Sequence, residues 1–292
     1  MAADFRPEAA DAEGERVTRL LTSGAARLSG SPSAPLDAQL LLGYVLGRDR
    51  SWVLAHHDYR ASSAESAAFR LLIERRSCGE PVAYIRGMVQ WYGMELEVTV
   101  DVLIPCPETE LMVEEALRMV ADHHVSRIAD IGTGSGAIAI ALAVALPQCR
   151  IVATDTSGGA LEVAVRNAKR IAVHDRISLR RGDLLTPVLT RPDLLVANLP
   201  YLSATEMAVL PSDVRHEPPG ALYGGEFGWE LYERLLDQLS ERAWDIPFIL
   251  ELDPRQADHL CSLVRARLPG GRLAMLPDYA GHNRFVVYQP RA

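Results

Sequence analysis

The segment Asp130-Ile-Gly-Thr-Gly-Ser-Gly-Ala137 decides how the rest of the chain is read. It follows a short apolar run at residues 128–131 and opens a longer one at 137–146, so it reads as the turn from a buried strand into a helix. Gly132, Gly134 and Gly136, interleaved with Thr133 and Ser135, let the backbone approach a ligand with no Cβ in the way. The N–H groups that begin the helix suit an anionic group. A second apolar run, 151–154, ends at Asp155-Thr156, with Asp155 nineteen residues after Gly136. An acidic side chain there can accept both ribose hydroxyls of an adenosine-type cofactor. Asp183-Leu184, after a third run at 177–179, offers another carboxylate for an adenine amino group.

Three readings of the loop stay open on these residues. Gly132, Gly134 and Ala137 have the spacing of a dinucleotide fingerprint, and a purely structural glycine turn has the same look. Asp130 favours S-adenosylmethionine, because a carboxylate beside the loop suits a methionine ammonium and repels a pyrophosphate.

Working outward, further strand-like runs stand at 194–197 and 248–252, and helical stretches separate most of the runs. That alternation predicts an α/β fold with a mostly parallel sheet covered on both faces. At the end, 272–276 and 285–288 are joined by a loop with no helix, which predicts an antiparallel last strand. Upstream, Leu36, Leu40, Leu41, Tyr44 and Val45 recur at helical spacing up to Gly47, and residues 64–76 repeat the pattern. The expected organisation is an all-helical domain over 1–84, a β-hairpin linker over about 85–104, and a ligand-binding domain over 105–292. Within the hairpin, Trp91 and Tyr92 are read as packing aromatics, and Thr109 as the cap of a helix over about 110–120.

Composition narrows the function classes. The 292 residues carry a net charge of −8, which lacks the electrostatic footprint of a nucleic-acid binder. The four cysteines are scattered without metal-ligand spacing, and no phosphate-loop lysine exists, since Lys169 is the single lysine. Met1-Ala-Ala-Asp-Phe-Arg6 has no apolar leader core and no run is long enough to span a membrane, so a cytoplasmic protein is expected, read as a monomer.

Asn198-Leu-Pro-Tyr201 follows the fourth strand directly, beside the glycine loop, where α/β sheets bind ligands. Such a turn suits an amide or exocyclic amine as nucleophile. Its lone pair is delocalised and no side chain deprotonates it near neutral pH, so the site must work by positioning. The Asn198 oxygen and the Leu199 carbonyl would hold the two N–H hydrogens and aim the lone pair at a methyl donor. Pro200 shapes the turn, and Tyr201 would stack on the planar group.

Further motifs extend along the chain: Leu36-Asp-Ala-Gln-Leu-Leu-Leu42, Gly79-Glu-Pro-Val-Ala-Tyr-Ile-Arg-Gly87, Leu103-Ile-Pro-Cys-Pro-Glu-Thr-Glu110, Glu217-Pro-Pro-Gly-Ala-Leu-Tyr-Gly-Gly225 and Asp278-Tyr-Ala-Gly-His-Asn-Arg284. With the glycine loop and the Asn198 turn, they resemble the HemK/PrmC family of S-adenosylmethionine-dependent methyltransferases. The resemblance implies a Rossmann-like class I methyltransferase sheet, S-adenosylmethionine as cofactor, and a helical N-terminal domain that helps dock a peptide chain release factor. It also implies methylation of the glutamine amide nitrogen in that factor's Gly-Gly-Gln motif, with Leu103 as a substrate contact. Three positions depart from the family pattern: Leu199 replaces the first proline of Asn-Pro-Pro-Tyr, Cys106 replaces an arginine, and Asp253 replaces a glycine and adds negative charge near the cleft. The turn also resembles that of ribosomal-RNA adenine dimethylases. An adenine N6-methyltransferase on RNA or DNA and a non-catalytic cofactor-binding scaffold are the alternatives, and the −8 charge favours the protein substrate.

Overall fold

The computed structural model describes residues 14–122 and 124–291, so the N-terminal hexapeptide read for a leader lies outside the described residues. The chain divides into two compact units, one running to Gly87 and including Ser212–His216, the other holding Met88–Pro211 and Glu217 onward.

In chain order the first unit holds β1 (Glu15–Arg16), α1 (Val17–Arg27), α2 (Ala34–Leu46), α3 (Arg50–Ala55), β2 (Arg60–Ala61), α4 (Ser63–Ser77) and α5 (Val82–Arg86). The unit is helical as expected, with one short addition: β1 and β2 pair antiparallel across two residues. Leu20, Leu41, Leu42, Phe69 and Ile73 form its core. Gly47 ends α2 in the left-handed region, at φ 61°. Ser62 and Glu65 start α4 with a reciprocal capping box, worth about 1 kcal/mol. Asp37 and Arg76 meet at 2.8 Å with both side chains nearly buried. Ser212, distant in sequence, packs against Gly79, where a Cβ would sit 3.2 Å from the serine.

The hairpin expected from about residue 85 starts later, since Ile85 and Arg86 belong to α5. In the second unit β3 (Met88–Trp91) and β4 (Met94–Glu97) form it, closed by Tyr92 at φ 48° and Gly93 at φ 69°. Two successive positive φ angles match the twist of the flanking strands, and the Tyr92 N–H donates to the Glu110 carboxylate. There follow α6 (Glu110–Asp122), β5 (Arg127–Ile131), α7 (Ala137–Ala145), β6 (Arg150–Asp155), α8 (Gly158–Arg170), β7 (Ile177–Arg181) and β8 (Leu194–Asn198). The chain continues through β9 (Leu202–Ser203), α9 (Ala204–Met207), β10 (Tyr223–Gly225), α10 (Glu230–Glu241), β11 (Phe248–Glu251), α11 (Ala257–Arg267), β12 (Arg272–Pro277) and β13 (Asn283–Gln289).

Seven of these strands form one sheet in the order β12-β13-β11-β8-β5-β6-β7. β13 runs antiparallel to both neighbours, and the other pairings are parallel. The strands bury both faces, as alternation along β8 shows: Leu194 and Val196 join one apolar cluster with α6 and α7, while Leu195 and Ala197 join another with α10 and α11. From β5 the chain moves to β6 and β7 on one side, then returns to β8 on the other. The β5–β8 border is therefore the topological switch point, where the loops after both strands diverge and leave a crevice. No helix among the described residues is long and apolar enough to cross a membrane.

Removing Arg76 leaves Asp37 buried without its cation, a change of about 3 kcal/mol. Arg76→Ala is expected to speed amide exchange in α2 and α4 by at least ~100-fold while β5 and β8 keep their protection. Unchanged exchange in α2 and α4 would show that the pair does not hold these helices.

Candidate active site

A cavity of about 200 Å³ opens at the switch point, entirely within the second unit. Gly132, Thr133, Gly134, Ser135, Asp155, Thr156, Asp183, Leu184, Asn198, Leu199, Pro200 and Leu103 line it as the sequence predicted; Asp130, Gly136 and Tyr201 do not.

The glycines of the loop turn out to serve different ends. Gly132 has φ 75°, and a Cβ there would lie 2.9 Å from Leu199 Cδ2, so it brings the loop against the Asn198 turn. Gly136, at φ 83°, faces Ala164 of α8 instead of a ligand. Only Gly134 has open space where a side chain would stand. Asp155 secures this conformation: one carboxylate oxygen accepts the Gly134 N–H and the other the Ser157 N–H, each at 2.9 Å. Both oxygens keep a lone pair for a further donor.

Asp130 stands beneath the loop, fully buried. Its Oδ2 accepts from Thr133 Oγ1 at 2.6 Å and from the Ala139 N–H at 3.2 Å, while Oδ1 has no partner among the described residues. Burial pushes this carboxyl up to about 7. Its visible work is thus bracing the loop from below. Asp183 reaches the cavity, but Arg234 and Gln238 of α10 engage its two oxygens.

Asn198 ends β8 directly opposite Glu251, the last residue of β11. Its Nδ2 donates to Thr109 Oγ1 at 3.1 Å, and Thr109 in turn donates to Glu251 Oε2 at 2.7 Å. Thr109 therefore does not cap α6 as expected; it lies in a 3-10 turn, Pro107–Thr109, with its hydroxyl committed to Glu251. Asn198 Oδ1 accepts no hydrogen bond among the described residues. Burial raises the Glu251 carboxyl to about 7, with the carboxylate of Glu108 adding to it and Arg284 opposing it. Sequence reasoning missed both Thr109 and Glu251 as site residues. The one available signal for Thr109 was its place inside the Leu103–Glu110 motif, and for Glu251 its place at the end of the 248–252 apolar run, two residues before Asp253.

The rest of the turn is gripped through its backbone. Leu199 donates its N–H to the fully buried Tyr232 hydroxyl at 3.2 Å, and that hydroxyl donates to the Glu251 carbonyl. Tyr232 Oη also stands 3.2 Å from the Leu199 carbonyl, but its single proton cannot serve both oxygens. Gln256 Nε2 holds the Tyr201 carbonyl at 2.8 Å. Tyr201 itself packs against the apolar cluster of α10 and α11 and does not line the cavity.

The departures now have structural accounts. Cys106 lines the cavity with its thiol donating to Glu108 at 2.5 Å, and burial pushes it up to about 12, so it stays protonated. Asp253 starts a 3-10 turn by accepting the Arg255 N–H, and its charge is paired with Arg255, which also reaches Glu206. The charge expected in the cleft is thereby neutralised outside the cavity.

The PrmC N-terminal domain matches residues 19–87, and the methyltransferase small domain matches residues 108–212. The release factor glutamine methyltransferase of Moorella thermoacetica is 37% identical over 279 residues, covering 94% of this chain and 96% of that protein. That of Rhodopirellula baltica is 38% identical over 286 residues, with 94% and 96% covered. Among solved structures, the hMettl16 catalytic domain in complex with MAT2A 3'UTR hairpin 1 superposes with a TM-score of 0.59 at 15% identity, covering 85% of this chain and 90% of that one. The N-terminal domain of human METTL16 in complex with SAH gives 0.53 at 14% identity, covering 86% and 94%. At such identity the likeness concerns the fold. The two bacterial relatives match the chain along nearly their whole length, and on that ground it belongs to the release factor glutamine methyltransferase family.

Proposed function

We propose that this protein transfers a methyl group from S-adenosylmethionine to the side-chain amide nitrogen of the glutamine in a release factor's Gly-Gly-Gln motif. The observation that carries the reading is Asn198: its amide is held by its nitrogen end, which leaves Oδ1 as an unclaimed acceptor on the cavity wall.

Two features support the cofactor. Gly134 leaves room at the loop, and Asp155 retains lone pairs for ribose hydroxyls. When bound, S-adenosylmethionine supplies an electrophilic methyl on a sulfonium. Asn198 Oδ1 takes one N–H of the glutamine amide, and the Leu199 carbonyl takes the other. The nitrogen lone pair is then rotated out of conjugation toward the methyl. Leu103 and Pro200 present apolar surface beside Asn198 and keep water from competing. Forming the N–C bond would break the methyl–sulfur bond and release the sulfur as a neutral thioether, and the nitrogen, made strongly acidic, would yield its proton to water, so no dedicated base is required.

Incubation with methyl-labelled S-adenosylmethionine, purified release factors and total RNA is expected to place label in the Gly-Gly-Gln peptide. Label confined to RNA would overturn the reading, and tight cofactor binding with label in neither would make the protein a scaffold. Asn198→Ala is expected to lower the single-turnover transfer rate by about 100-fold or more, with cofactor affinity within about threefold of the parent. Transfer at the parental rate would remove Asn198 from the mechanism.

A further inference from the structure

An asparagine amide has two ends of nearly the same shape and opposite hydrogen-bonding sense. Asn198 serves an N–H-bearing substrate only when Oδ1 faces the cavity. Turned by half a rotation it would present two N–H donors to a donor, and the substrate amide would be repelled. Something in the fold has to choose between these states.

We infer that Glu251, acting through the Thr109 hydroxyl, sets the polarity of Asn198 and is a positioning residue for methyl transfer. The inference rests on the reading that Asn198 Oδ1 receives the glutamine amide. Thr109 has one proton to give. An ionised Glu251 can only accept, so it takes that proton at 2.7 Å. What Thr109 then offers on its other side is a lone pair, which only Nδ2 of Asn198 can satisfy, at 3.1 Å. Each group's sense is dictated by the one behind it, and the sequence ends at Asn198 Oδ1, which accepts no hydrogen bond among the described residues. Glu251 is almost fully buried, so water does not compete for this network.

The surroundings keep the relay one-sided. The Tyr232 hydroxyl is spent on the Glu251 backbone carbonyl. Arg284, itself paired with Asp278, favours the ionised carboxylate from β13. Glu108 and burial oppose ionisation, with Cys106 and Tyr201 remaining neutral nearby. A protonated Glu251 could donate to Thr109, which would free the Thr109 proton for Asn198 Oδ1 and reverse the whole relay. The carboxyl stands at about 7, so transfer should be full above that pH and decline as the pH falls through it.

The test is the pH profile of single-turnover transfer to a release factor with the cofactor saturating, measured on the full-length protein. The parent is expected to show an acid limb near neutral pH. Thr109→Val should lower the plateau about tenfold or more and flatten that limb, while the cofactor dissociation constant holds. Glu251→Gln should likewise lose the limb. Thr109→Ser, which keeps the hydroxyl, should regain at least half the plateau and the limb with it. Asn198→Ala separates the two levels of inference. If it is inactive while Thr109→Val keeps the parental plateau and limb, the relay is wrong and the role of Asn198 stands; if Asn198→Ala is fully active, the underlying reading fails. Asp130 is also raised to about 7, so an acid limb that survives Thr109→Val but not Asp130→Asn would assign the titration to the loop and overturn the proposal.

Discussion

Parallel pairing of β5 with β8 is the constraint from which the site follows. It sets Ile131 opposite Ala197, so the residues after each strand, Gly132 and Asn198, emerge side by side at the same edge of the sheet. One register step in either direction would exchange the faces of β8, sending Val196 and Leu195 to the wrong cores. The two apolar layers therefore hold the loop and the Asn198 turn in register. The absence of a Cβ at Gly132 then lets the loop close onto Leu199.

The second consequence concerns rigidity. A turn that aligns a weak nucleophile must not flex, and proline is one way to stiffen it. Here Leu199 has an N–H that a proline would lack, and that N–H is fastened to Tyr232, which is fastened to the β11 carbonyl of Glu251. A buried hydrogen-bonded anchor thus stands in for a ring constraint. It works because Tyr232 is wholly enclosed by the cluster that covers this face of the sheet. The sequence alone shows what is lost at position 199; the compensating partner lies 33 residues away.

Much of the fold was legible because its signals are local. Apolar runs bounded by turn residues predicted the seven strands of the main sheet, and the missing helix before β13 predicted its direction. The errors also have local causes. Tyr84-Ile85-Arg86 alternates like a strand, but Pro81 opens a helical turn there and Gly87 closes it. Thr109 has the chemistry of a cap, yet its hydroxyl oxygen accepts from Asn198 Nδ2 and its proton goes to a buried carboxylate of a distant strand.

By itself, the sequence determined the order of strands and helices, the glycine loop, the Asn198 turn and the family, because these depend on residue type, period and spacing. Only the tertiary structure decided which groups face the cavity and with what polarity. Thr109, Asn198 and Glu251 are separated by 89 and 142 residues from the threonine, and no spacing rule connects them. Their shared hydrogen bonds exist because β11 pairs with β8 and the 3-10 turn before α6 lies at the end of that pair. Directionality in such a network is a property of who has the proton, and that is settled by burial and neighbours brought together by folding.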